Sequence, residues 1–139
     1  MEIHHITIRA IAQATESEDR VKTALSLFLP DNDIEIISSE GHFGNPITIF
    51  QSSITGRKCR RFIDFLKTSL HGKDMGLLKN QITERVDEQC ALHIRFDKQA
   101  AYEGIVQLAT TPDTIAARIK IKAYPARREI AIKVAETLF

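Results

Sequence analysis

Arg118, Lys120, Lys122 and Tyr124 fall at every second position of the run RIKIKAY. On a β-strand that spacing sends all of them to one face, roughly 6.7 Å apart, while Ile119, Ile121 and Ala123 fill the other. A row of cations ending in an aromatic ring can track a phosphate backbone and stack a base. The same row also keeps a half-exposed strand soluble and protects a sheet edge. Arg127 and Arg128 follow in the first turn of an expected final helix, where the macrodipole is positive and acidic residues are preferred. An anion there would meet free N–H groups and guanidinium forks together, unless Glu129 and nearby carboxylates already compensate. Arg57, Lys58, Arg60 and Arg61 repeat the pattern at the head of a middle helix as a second basic patch. Charges on the outer face of a surface helix are also routine.

Other chemistries find less support. His4 and His5 are adjacent on a strand and point to opposite faces, so they cannot grip one metal together. His42, His71 and His93 lack zinc-type spacing, and Cys59 and Cys90 have no close partner. No Walker loop, dinucleotide-binding glycine motif or nucleophile elbow occurs. The expectation is a non-enzymatic chain with no catalytic residue, metal or cofactor. An enzyme remains the alternative if Asp97, His93 or Glu88 converge in a deep pocket with shifted pKa values.

The elements that must carry these residues follow from periodicity. Ile6, Ile8, Ala10 and Ala12 alternate with polar residues as a half-buried strand. Thr15 and Glu18 have capping-box spacing for a helix whose stripe is Val21, Ala24, Leu25, Phe28 and Leu29, ended at Leu29-Pro30. DIEIISS and ITIFQSSI read as two strands, joined through the stretch SEGHFGNPITIF as a hairpin connection. Gly41 and Gly44 suit its turn, with His42 and Phe43 displayed at the tip. A helix from Arg57 to Gly72 places Phe62, Phe65, Leu66 and Leu70 inward, and KDMGLLKNQI predicts a shorter one. QCALHIRFD puts Leu92, Ile94 and Phe96 on one face of a strand. KQAAYEGIVQLA reads equally as a helical turn or further strand. TIAARIKIKAY is the clearest strand, and Pro125 is expected at the first position of a closing helix with Ile130, Val134 and Leu138 inward. This order predicts an α+β fold, a mostly antiparallel sheet of five to six strands with helices packed on one face, in a single domain over residues 1–139.

Composition bounds the partners. Hydrophobic content of 43% and charged content of 27% are ordinary for a globular protein. No apolar run reaches the roughly 20 residues of a membrane span. The start MEIHHITIRA has no secretory pattern and the cysteines form no disulfide framework, so a cytoplasmic home is expected. The net charge of +1 hides an asymmetry: residues 1–40 carry a balance of −5 and residues 41–139 one of +6. One face can therefore attract a polyanion.

IHHITIRA, EGHFGNPITI, ERVDEQC, RFDKQAAYEG and ARIKIKAYPARRE occur in an order that resembles a family of archaeal RNA-binding proteins described as exosome subunits. The resemblance spans nearly the whole chain. It implies a double-stranded-RNA-binding-like α+β domain, similar to the ribosomal protein that binds 5S ribosomal RNA, and a link to RNA processing in an archaeal cytoplasm. By analogy His42 and the Arg127-Arg128 pair stand where such domains place a loop histidine and a basic helix start. Two arginines in place of a lysine cluster, and extra elements between, depart from that pattern. The reading is an RNA-binding protein that recognises backbone and shape, accessory to an exosome or other RNA-processing proteins. The alternative is a protein-docking module in such a complex that never touches RNA.

Overall fold

The structure, a computed structural model, describes residues 2–29, 34–40 and 44–139. In chain order the described elements are β1 (Ile3–Ala12), α1 (Glu18–Ser26), β2 (Glu35–Glu40), β3 (Pro46–Ile54), α2 (Arg57–Ser69), α3 (Gly72–Asn80), α4 (Ile82–Arg85), β4 (Ala91–Asp97), α5 (Lys98–Tyr102), β5 (Thr114–Ile121) and α6 (Arg128–Leu138). The fold is α+β, with one antiparallel five-stranded sheet in the order β2-β3-β1-β5-β4. β2 and β3 pair antiparallel from Glu35↔Gln51 to Glu40↔Pro46, as the two arms of a hairpin. Gly44 within it has φ +75, a conformation that glycine adopts without Cβ strain.

Period-two patterning holds where the sequence is most regular. Ile115, Ala117, Ile119 and Ile121 of β5 are buried, while Arg118 and Lys120 stand on the half-exposed face. Leu92, Ile94 and Phe96 of β4 are likewise buried. The segment after β4 becomes the short α5, followed by an isolated bridge between Phe96 and Leu108.

Three local expectations are corrected. Thr15 does not cap α1. Glu16 is tied back to Gln13 through its amide and its carboxylate, so the helix starts later, capped by Ser17, whose hydroxyl accepts from the Arg20 amide. β5 stops at Ile121, and Lys122 and Tyr124 lie in the connection beyond it. The amide of Lys122 still donates to the Glu2 carbonyl at 2.7 Å, but Pro125 has no N–H with which to extend a ladder. Pro125 is also not the first residue of α6: Arg127 is the N-cap and Arg128 the first helical position. Leu138 faces inward as expected, but its buried companions are Ala131 and Ala135, while Ile130 and Val134 are half-buried.

The chain gathers into two compact units, each assembled from separate segments. Unit 1 holds the described residues of Met1–Thr7 with Ser53–Ile94 and Ala117–Phe139, and unit 2 holds Ile8–Ser52 with Arg95–Ala116.

Candidate functional site

All the described basic residues singled out in the sequence lie in unit 1, and the structure sorts them into two sets. The first set is held by the segment from Thr83 to Gln89. Arg118 Nη2 donates to Gln89 Oε1 at 3.1 Å, and Lys120 Nζ donates to the carbonyl of the same residue. Arg128 donates from Nε to the Val86 carbonyl at 2.9 Å and from Nη2 to the Thr83 carbonyl. Those carbonyls belong to α4 and its C-cap, where a cation is electrostatically favoured. The basic start of α6 is thus half accounted for without any ligand: Arg128 serves the exit of α4.

The holding segment is itself braced. Asp87 accepts from the amides of Gln89 at 2.8 Å and Ala91 at 3.1 Å, and its Oδ2 lies 2.6 Å from His93 Nε2. Partial burial works to raise the Asp87 pKa, but the His93 contact and the two amides outweigh it and hold the carboxyl below its ordinary range. Arg85 bonds Gln81 Oε1 at 2.7 Å and the His93 carbonyl at 3.4 Å. Burial works against its charge and lowers its pKa.

The second set is free. Lys122 and Arg127 are exposed, and no described residue accepts a hydrogen bond from either side chain. Tyr124 between them is 98% exposed. Arg57 and Arg61, near the start of α2, are exposed and equally unengaged, and Arg60 has only an exposed contact of 3.6 Å with Asp64. Lys58 is exposed beside them but does not belong to the free set, because it is engaged within the chain.

Glu2 joins the two free groups. Its carbonyl takes the Lys122 amide, and it lines a shallow depression of ≈ 480 Å³ together with Arg57, Arg60 and Arg61. Cys59, one turn into α2, reports the same proximity. Burial pushes its thiol pKa up, and the Lys122 ammonium acts against that rise. The row on RIKIKAY and the second basic patch, sixty residues apart in the chain, therefore adjoin through Lys122.

The local fold explains why α2 opens so positively. Its N-cap, Gly56, has φ 62 and ψ −140, a backbone state closed to most side chains, and glycine offers no oxygen to cap the first amides. No acidic residue lies in the first turn either. The result is a helix start where macrodipole and side chains have the same sign, suited to an anion.

His42 and Phe43 lie outside the described residues. The residues expected for an enzyme go to separate tasks: His93 contacts Asp87, and Asp97 caps α5 by accepting from the Ala100 amide at 2.8 Å. Among the described residues no group of three or more His, Cys, Asp or Glu could hold a metal, and no helix is long and apolar enough to cross a membrane. Sequence reasoning missed Glu2 and Gln89, although Gln89 sits in ERVDEQC, one of the segments that carried the resemblance.

Known proteins give a consistent frame. A family model described as RNA binding matches residues 5–121. The RNA-binding protein PAB1135 of Pyrococcus abyssi is 38% identical over 140 residues, covering 96% of this chain and 91% of that one. Protein AF2318 from Archaeglobus fulgidus superposes with a TM-score of 0.90 at 32% identity, covering 99% of this chain and 100% of the other. Mth689 from Methanothermobacter thermautotrophicus, described as a DUF54 protein, has a TM-score of 0.83 at 32% identity, with 99% and 98% covered.

Proposed function

The chain belongs to the RNA-binding family, and we propose that it binds structured RNA by its sugar–phosphate backbone through the free basic set of unit 1. The single observation that carries this reading is the junction at Glu2. It brings Lys122 beside Arg57, Arg60 and Arg61 at a helix start with no capping oxygen. Phosphates would be taken by Arg57 and Arg61 on one side and by Lys122 and Arg127 on the other. Such contacts recognise backbone and shape and carry no direct base code. Arg118, Lys120 and Arg128 support this surface by fixing the strand and helix that present it.

The test is RNA affinity as a function of salt. Between about 50 and 200 mM salt a surface of this kind loses at least roughly tenfold in affinity, because counterions compete for the phosphates. Arg57→Glu combined with Lys122→Glu should lower both the affinity and the salt slope. Unchanged affinity in that double variant sinks the assignment. The resemblance extends the proposal to an accessory role with an RNA-processing complex such as the exosome, in an archaeal cytoplasm. Co-purification with such a complex that nuclease abolishes supports RNA as the link. Co-purification that survives nuclease and the basic substitutions would instead mark a protein-docking module.

A further inference from the structure

Unit 2 holds a pocket whose chemistry is not that of a phosphate site. A cavity of ≈ 500 Å³ is lined by α1, the turn before it, and α5, with Thr15, Ser17, Arg20, Lys98, Gln99 and Tyr102 among its walls. Lys98, only 6% exposed at its side chain, is no ligand group. Its ammonium donates to Glu16 at 2.8 Å, Asp113 at 2.6 Å and the Ile11 carbonyl at 2.8 Å, which uses all three of its protons. Lys98 instead fixes the floor, tying the turn before α1 to the start of α5.

The open wall is planar. The Arg20 guanidinium sits 5.3 Å from the centroid of the Tyr102 ring, and Tyr102 remains 41% exposed. Arg20 is exposed too, leaving the outer guanidinium face available. Around this wall stand polar groups without an assigned task. The Gln99 amide and the Thr15 hydroxyl have no partner among the described residues, and the Ser17 hydroxyl, an acceptor from the Arg20 amide, keeps its proton to donate. Charge narrows the ligand from both sides. Arg20 disfavours a cation, while Glu16 in the wall, with Glu18 and Asp19 in the first turn of α1, disfavours a phosphate.

We propose that this pocket receives a single unpaired nucleobase, stacked on the guanidinium–tyrosine wall and read along its edge by Gln99. A neutral planar heterocycle satisfies both charge limits. The side-chain amide pairs one donor with one acceptor, the complement of a base edge. The site is separate from the phosphate-binding surface of unit 1 and does not rely on it.

Tyr102 and Tyr124 are the two tyrosines of the chain, so protein labelled with 3-fluorotyrosine gives one fluorine NMR signal for each, assigned with Tyr124→Phe. Adenosine, guanosine, cytidine and uridine are titrated separately at millimolar concentration. The expected result is that at least one nucleoside moves the Tyr102 signal saturably and leaves Tyr124 in place. Gln99→Ala and Arg20→Ala, both surface changes, should each weaken that binding by roughly tenfold. The matching 5′-monophosphate should bind no tighter than the nucleoside. A Tyr102 signal that no nucleoside moves overturns the proposal, as does wild-type binding by Gln99→Ala, or a monophosphate that binds far tighter. Nucleosides carry no phosphate, so these outcomes are independent of the unit 1 surface. Lys122→Glu should leave the Tyr102 titration unchanged.

Discussion

In unit 2 the Lys98 ammonium meets Glu16, Asp113 and a carbonyl, and has no donor left over. In unit 1 the Lys122 ammonium and the Arg127 guanidinium are exposed and have no acceptor among the described residues. Arg118, Lys120 and Arg128 lie between these extremes, exposed or half-buried yet tied to oxygens of residues 83–89. Charge type does not separate these cases. What separates them is whether the chain brings oxygen to the cation, and only cations left without oxygen remain for a polyanion. The contrast predicts that substitutions in the held set cost stability and those in the free set cost RNA affinity.

The largest effect should come from Lys98→Met. It leaves the Glu16 and Asp113 carboxylates facing each other and the Ile11 carbonyl without its donor. A fully buried pair broken in this way costs about 3–5 kcal/mol; because Asp113 is 44% exposed, about 2–3 kcal/mol is expected in a urea melt. Salt-dependent RNA binding of the folded fraction should stay as in the wild type. If stability is unchanged, Lys98 is no structural tie.

Arg128→Ala and Arg127→Ala sharpen the comparison within one helix start. Arg128→Ala removes the bonds to Val86 and Thr83 and should lower stability by about 1–2 kcal/mol, with little change in the salt slope of RNA binding. Arg127→Ala should leave the melt within about 0.5 kcal/mol and reduce the salt slope by about one contact. The reverse pattern, in which Arg127 carries stability and Arg128 the salt slope, would break the division between held and free cations.

Sequence alone could reach some of this and not the rest, for a physical reason. The alternation in β4 and β5 and the start of α2 at Arg57 were legible because side-chain periodicity and local glycine chemistry are properties of short windows. The fate of each cation was not, because its oxygens come from far along the chain. Gln89 lies 29 residues from Arg118, Thr83 lies 45 from Arg128, and Ile11 lies 87 from Lys98. The same distance hid the meeting of Lys122 with α2, which depends on Glu2, far from it in the chain. Even the arginines at the start of α6, opposed to its dipole by sequence, are partly explained by another helix: α4 presents its C-terminal carbonyls to Arg128.

The smallest effect tests the brace behind the held set. The Asp87 carboxyl is partly buried, which favours protonation, but His93 and the amides of Ala91 and Gln89 hold its pKa below the ordinary value. A carboxyl whose folded pKa is depressed stabilises the fold fully above the unfolded value, about 3.9, and loses that contribution as pH falls through the folded value. Stability should therefore decline with a contribution from Asp87 only in the acid window below about pH 4. Asp87→Asn should flatten that part of the pH–stability curve. The side chain of Asp87 is 36% exposed, so solvent screening keeps the change small. Gln89 gives the more specific readout. If Asp87 holds its amide in place, Asp87→Asn should loosen Gln89 and, with it, the grip on Arg118 and Lys120. Faster amide exchange at Gln89 and Ala91 in Asp87→Asn, with the exchange of α2 unchanged, is the expected signature. Uniform protection in both proteins would show that the segment holds those cations without its carboxylate.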